Sequence, residues 1–348
     1  MYKTPGGFAM WTRGLLLALL FLTSLGLAQS RTNVRFTLDF AFQGPTAPFL
    51  LAQDKGYYSA EGLNVSIDRG FGSADAISKI AAGNYDMGFA DFNSLIEFNT
   101  RNPNNQLLAV FMVYNTTPAA VFAIKGKGIA RPTDLAGKTL AAPAGDAGRR
   151  LFPVFAEAVG LDASKVNFIN VDVPLREPTL ARGQADGITG FYFTSFLNLK
   201  NVGVKPEDLV IFKYGDYTQD LYGNAVVVRR DFAQANPQAV AAFLRALVKG
   251  FKDVIANPDE GVAAVKRRDG LINEALERER LLLALNTHVL TADSRAFGLG
   301  SVRRERVERN IRAVVKAFDL NTTLRVEQVW SERFLPPIAE RRVTGPAR

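Results

Sequence analysis

The sequence predicts an α/β fold of two lobes, each a mostly parallel sheet flanked by helices, and three observations predict it. Between Val34 and Ser94, three apolar, β-prone runs each end in a short polar turn that opens a helical pattern. Strands alternating with helices in this way imply parallel neighbours. The same grammar returns after Lys138. About 320 residues beyond an N-terminal leader are enough for two such units.

The first 28 residues stand apart from the fold. Lys3 and Arg13 supply a positive start, Gly14–Leu22 a short apolar run, and Leu25-Gly26-Leu27-Ala28 the small residues of a cleavage site. An exported protein cleaved after Ala28 is expected, since the apolar run is short for a membrane span. No cysteine follows for lipid attachment, so free diffusion after cleavage is expected. Losing Lys3 and Arg13 lowers the formal charge from +8 to +6.

Val34–Phe40 reads as the first strand, entering Gly44-Pro45-Thr46. Leu63–Ile67 is the second. It meets Gly70-Phe71-Gly72-Ser73, where two glycines allow a tight turn and Ser73 suits the N-cap of a helix carrying Ala74, Ile77, Ile80 and Ala81. Met87–Ala90 enters Asp91-Phe92-Asn93-Ser94, and a helix with Leu95, Ile96 and Phe98 stops at Asn102-Pro103. Leu107–Tyr114 is a fourth strand. Asn115-Thr116-Thr117-Pro118 breaks the pattern and marks the first crossing between lobes, before the strand Ala119–Ile124.

In the second lobe, Thr133 is expected to cap a turn at Asp134–Ala136. Lys138–Ala142 is a strand, followed by a small-residue turn and a helix burying Leu151, Phe152, Phe155 and Val159. Val166–Val171, Gly187–Gly190 and Leu209–Phe212 are further strands, and Leu175–Arg182 is a helix. Ala225–Val228 returns the chain to the first lobe. Val240, Phe243, Leu244, Leu247, Val248, Phe251, Val254 and Ile255 then step by three and four, the apolar face of a helix ended by Asn257-Pro258. Residues 29–118 and 225–340 are thus assigned to lobe one, 119–224 to lobe two, and the polar tail 341–348 is expected to be loose.

Sheets of this kind bind ligands beyond the carboxyl ends of their strands, where helix N-termini present unpaired N–H groups. The turns there supply the candidates. Lobe one offers Phe42, Gln43, Phe71, Ser73, Asp91, Phe92, Asn93, Tyr114 and Asn115. Lobe two offers Asp146, Arg149, Asp172, Thr189, Phe191, Tyr192, Tyr214, Asp216 and Tyr217. Aromatic faces with a few hydrogen-bonding groups suit a small organic solute. Most of the chain's 25 phenylalanines must nevertheless be core, and Ser73, Asp91 and Asn93 are as suited to capping helices. Arg149 stands out because, with Asp146 as N-cap, it falls in a first helical turn where a cation is disfavoured. A ligand anion is one reason for that placement and an ordinary ion pair the other. Arg176 has the same ambiguity and less reason to face the cleft.

Gly56-Tyr57-Tyr58, Glu61-Gly62-Leu63-Asn64-Val65, Gly70-Phe71-Gly72-Ser73 and Ala82-Gly83-Asn84-Tyr85-Asp86-Met87-Gly88-Phe89-Ala90-Asp91 occur in that order, and Asp134–Thr139 and Gly183–Ile188 follow. Over roughly residues 34–320 the chain resembles the periplasmic solute-binding proteins of ABC importers, in the NMT1/THI5-like group that takes sulfonates, nitrate and thiamin-pyrimidine precursors. The resemblance implies a type II periplasmic binding fold with two crossover strands. It also implies a monomer that hands its solute to an inner-membrane permease, without cofactor or metal. The aromatic turns favour a planar heteroaromatic solute, with an alkanesulfonate-, taurine- or nitrate-type anion second. A two-lobe sensor docking on a membrane kinase would carry the same sequence features.

Composition bears on the rival classes. Zero cysteines exclude disulfides and thiolate sites, and the single histidine, His288, excludes histidine clusters. The resemblance extends to a yeast-type pyrimidine synthase that uses a histidine and a cysteine-rich iron-binding segment, and that chemistry fails on this composition. Gly70-Phe71-Gly72 lacks the Lys-Ser/Thr of a phosphate loop. Nucleic acid is not expected either. The basic run Arg303-Arg304-Glu305-Arg306 mixes signs on a helix whose other face is Val307, Ile311, Val314, Val315 and Phe318, which reads as a solvated surface.

Overall fold

Each apolar run that ends in a polar turn becomes a strand pointing at one cleft. The computed structural model describes residues 1–2, 31–218, 220–322, 324–345 and 347; the cleavage site expected after Ala28 lies outside them. Among the described residues, ten strands form two five-stranded sheets. The first contains β1 (Thr32–Thr37), β2 (Leu63–Asp68), β3 (Met87–Asp91), β4 (Leu107–Met112) and β10 (Asn224–Arg229), in the order β2-β1-β3-β10-β4. The second contains β5 (Ala119–Ile124), β6 (Thr139–Ala142), β7 (Asn167–Asn170), β8 (Gly187–Phe191) and β9 (Leu209–Lys213), in the order β7-β6-β8-β5-β9.

The sheets are mixed, and the reversed strand in each has a topological cause. β1 runs parallel to β2 and β3, and β6 parallel to β7 and β8. β10 is antiparallel to β3 and β4, and β5 to β8 and β9. These two are the strands that arrive from the other sheet. Each starts at the cleft edge and can only run away from it, whereas the other eight end there.

Helices cover the outer faces. On the first sheet, Phe243 of the Pro237–Ala256 helix stacks on Phe36 at 5.0 Å and on Tyr58 at 4.8 Å, inside a core that includes Phe49, Phe89 and Leu247. A second apolar cluster takes Val307, Ile311 and Val314 of the Arg304–Ala317 helix together with residues of both sheets. No helix among the described residues is long and apolar enough to cross a membrane.

Some local expectations differ from the structure. Gly72, not Ser73, is the N-cap of the Ser73–Ala81 helix, and the Ser73 hydroxyl instead accepts from the Asp91 N–H at 3.0 Å. The turn Pro132–Leu135 is capped through Asp134, which accepts from the N–H groups of Ala130 and Arg131, rather than by Thr133. A ten-residue helix, Tyr192–Asn201, follows β8, where the sequence reading has no element. Arg306 is not solvated: it stacks on Tyr222 at 4.1 Å and donates to the carbonyls of Asp220 and Leu221. The described tail residues include buried ones. The Arg341 guanidinium is buried, donating to the carbonyls of Pro336 and Leu299, and Val343 and Ala347 are buried as well.

Candidate functional site

The strand ends of both sheets line a narrow, half-open cavity of about 30 Å³. Asp39 and Phe40 reach it from the end of β1, Gly72 and Ser73 from the turn after β2, Phe89 from β3 and Tyr114 from the end of β4. The second sheet contributes Asp146 after β6, Arg176 after β7, Phe191 at the end of β8, and Phe193 and Thr194 from the helix that follows. Gln43, Pro45 and Thr46 complete the rim.

One wall is aromatic. Phe89 meets Tyr114 edge-on at 5.4 Å, Tyr114 meets Phe193 at 5.6 Å, and Phe193 meets Phe191 at 5.8 Å. The chain thus passes from one sheet to the other through a continuous ring cluster, an arrangement suited to an apolar, planar guest. His288 backs this wall, with ring centroids 6.0 Å from Tyr114 and 5.8 Å from Phe193. Burial, aided by Lys213, lowers its pKa to about 3. The imidazole is therefore neutral at physiological pH, with Nδ1 2.8 Å from the Thr116 hydroxyl.

The opposite wall is polar. Arg176 is buried, donating Nη1 to Asp146 at 2.9 Å and Nε to Glu177 at 2.9 Å, with Nη2 2.8 Å from Glu177. Burial opposes its charge, but the two carboxylates outweigh that and hold the guanidinium ionised. Gly190 makes room for it, because a Cβ there would lie 2.9 Å from Arg176 Cζ. Asp146 caps the Ala147–Ala158 helix through the Arg149 N–H at 3.0 Å and takes the Thr189 hydroxyl at 3.3 Å. Asp39 accepts from Asn224 Nδ2 at 2.7 Å. Burial, helped by the charges of Asp91 and Asp146, pushes its carboxyl up to about 7.

The sheets already touch around this cavity. The Ala74 N–H donates to the Gly145 carbonyl at 3.3 Å, and the Thr194 hydroxyl to Gln43 Oε1 at 3.1 Å. Gly72, with φ of 133°, is required at the contact, since a Cβ there would sit 2.3 Å from the Gly145 carbonyl oxygen.

Of the residues expected from sequence, Gln43, Ser73, Tyr114, Asp146 and Phe191 line the cavity. Thr189 stands just behind, on Asp146. The others lie elsewhere. Arg149 points away, donating to the Ala142 carbonyl at 3.0 Å and stacking on Phe168 at 5.2 Å. Phe71 is 52 % exposed, and Asp172, Asp216 and Tyr217 are exposed too. Phe42 packs against the first core, while Phe92 and Tyr214 are fully buried, Tyr214 stacked on Phe155 at 4.5 Å. Tyr192 stacks between Phe122 and Phe196. Asp91 caps the Phe92–Arg101 helix, Asn93 bonds the Tyr222 carbonyl and Asn310, and Asn115 bonds Thr291. Sequence reasoning missed Asp39, Phe40, Phe89, Phe193 and Thr194, and ranked Arg176 below Arg149. A signal for Asp39 existed: an ionisable residue inside the apolar run Val34–Phe40.

Comparison with known proteins agrees with this architecture. The chain is 26% identical to the formylaminopyrimidine-binding protein of Halalkalibacterium halodurans over 258 residues, covering 71% of this chain and 76% of that one. It is 24% identical to the riboflavin-binding protein RibY of Chloroflexus aurantiacus, covering 83% and 82%. Among solved structures, the alkanesulfonate-binding protein SsuA of Xanthomonas axonopodis pv. citri superposes with a TM-score of 0.67 at 15% identity, over 86% of this chain and 99% of that one. The fold is that of the periplasmic binding proteins. Residues 44–261, more than half of the chain, match the family model described as NMT1/THI5 like, and the protein belongs to that family.

Proposed function

We propose that this protein is the solute-binding component of an ABC import system and that its solute is a planar heteroaromatic compound. One observation carries the choice of solute. The cavity has an aromatic wall, and Arg176, the one cation among its lining residues, is already engaged by Asp146 and Glu177. A sulfonate or nitrate would meet Asp39 without a free positive partner, and burying an uncompensated charge is costly. A flat, uncharged or cationic ring meets neither obstacle. The formylaminopyrimidine- and riboflavin-binding relatives support the same class. The binding-protein relatives support binding without chemistry.

In this reading residues 29–118 with 225–340, and 119–224, are two lobes that close on the solute about the two crossings. The closed form docks, as a monomer, on an inner-membrane permease. The protein is exported and cleaved after Ala28, so the periplasmic form should begin at Gln29 by N-terminal sequencing. A thermal-shift panel tests the solute class. Ligand at about a hundred times its Kd adds roughly 2.7 kcal/mol of stability, a readable rise in Tm. Pyrimidines and isoalloxazines are expected to raise the Tm while taurine, alkanesulfonates and nitrate do not. The opposite pattern sinks the heteroaromatic reading.

A further inference from the structure

The two aspartates lining the cavity differ in how much acceptor capacity they have left. Asp146 is engaged on both oxygens, Oδ1 by the Arg149 N–H and the Thr189 hydroxyl and Oδ2 by Arg176. Asp39 is 6 % exposed and, besides its own backbone N–H, accepts one hydrogen bond, from Asn224 to Oδ2. No other residue among those described donates to it. A carboxylate has about four lone-pair sites, so a buried one with only these two is built to take another donor. Asp39 lies at the end of β1 on the cavity wall, within reach of the charges of Asp91 and Asp146, and its own charge acts on Tyr114. Arg176 faces the same cavity with each guanidinium nitrogen already paired to Asp146 or Glu177, so its charge is balanced. The local field therefore favours a ligand group that donates hydrogen or carries positive charge.

We infer that Asp39 is the specificity-determining residue of the cleft, and that its free Oδ1 accepts from a donor edge of the ligand, an exocyclic amine or a protonated ring nitrogen. This rests on the reading that the cleft holds a planar heterocycle, and it narrows that class to rings bearing an N–H donor. Asn224 holds the other oxygen and fixes the plane of the carboxylate, which makes it a positioning residue.

Matched rings test the inference: 4-amino-2-methylpyrimidine against 4-methoxy-2-methylpyrimidine, and adenine against 6-methoxypurine, each titrated calorimetrically into the purified protein. Within each pair the stacking surface is nearly the same and only the donor is lost. The amino member is expected to bind tighter by about tenfold to a hundredfold, the range of a hydrogen bond to a charged group. Asp39→Asn should abolish that preference by weakening the amino member, while Arg149→Ala, outside the cavity, retains it. Binding of both members with equal affinity in the wild type overturns the role of Asp39 and leaves the heteroaromatic reading standing, whether or not the variant folds. A preference that survives in Asp39→Asn overturns it as well. Failure of all four rings to bind, with a sulfonate binding instead, overturns the heteroaromatic reading itself.

Discussion

β1 and β6 hold the same place in their sheets, second from the edge between β2 and β3 or between β7 and β8, and each delivers an aspartate to the cleft. After β6, Asp146 is absorbed by the fold: it caps a twelve-residue helix and pairs with a buried arginine. After β1 the first helical turn comes later, at Gly44–Thr46, so Asp39 caps nothing and keeps an oxygen for the cavity. Repeating a topology does not repeat its electrostatics. The distance from strand end to helix start decides whether a carboxylate serves the backbone or a ligand.

The largest expected effect breaks the satisfied wall. Arg176→Ala leaves Asp146 and Glu177 buried without their counter-charge, and removing one partner of a buried ion pair costs about 3–5 kcal/mol. Urea denaturation measures it, and a loss below about 1 kcal/mol would mean that the wall is hydrated in solution.

The wall with the free acceptor should respond in the other direction. The folded carboxyl of Asp39 lies near 7, above its ordinary 3.8, so the folded state holds this proton more tightly than the unfolded chain does. That contribution is fully present below the ordinary value and is lost as pH rises through about 7. Asp39→Asn removes the loss. The ligand-free variant should therefore exceed the wild type by about 4 kcal/mol at pH 8. The gain should shrink toward pH 4, and melting curves across pH that stay parallel would contradict it.

A smaller change separates the walls altogether. Gly72→Ala places a Cβ against the Gly145 carbonyl at a left-handed φ, which strains the turn by about 1–3 kcal/mol. The variant should fold, but X-ray scattering should no longer show compaction on adding ligand. Normal compaction would move the closing contact elsewhere.

Arg149→Ala is the mildest. It removes a stack on Phe168 and a bond to a carbonyl outside the cavity, worth about 0.5–1 kcal/mol. Ligand-induced Tm shifts should be unchanged. Their loss would return Arg149 to the binding site.

The sequence by itself determined the alternation of strand and helix, the crossing at Asn115–Pro118 and the return near Ala225, because these rest on local periodicity and on turn residues. It also determined the family, whose motifs are local, and what composition rules out. Only the tertiary structure decided which turn residues face the cleft. Arg149 and Arg176 both sit in a first helical turn after a strand, and nothing local ranks them. The missing Cβ of Gly190, far along the chain, admits Arg176, while Phe168 draws Arg149 to the other side. Phe92 and Tyr214 occupy the predicted turns but are buried in the second core, since a large apolar ring gains most where both sides are covered. Sequence periodicity places Asp39 inside a strand. β1 instead stops at Thr37, where the Leu38 N–H makes its last bond to the end of β2, and the two residues beyond are carried into the cavity. Strand length is set by the neighbouring strand, and that neighbour is known only once the chain has folded.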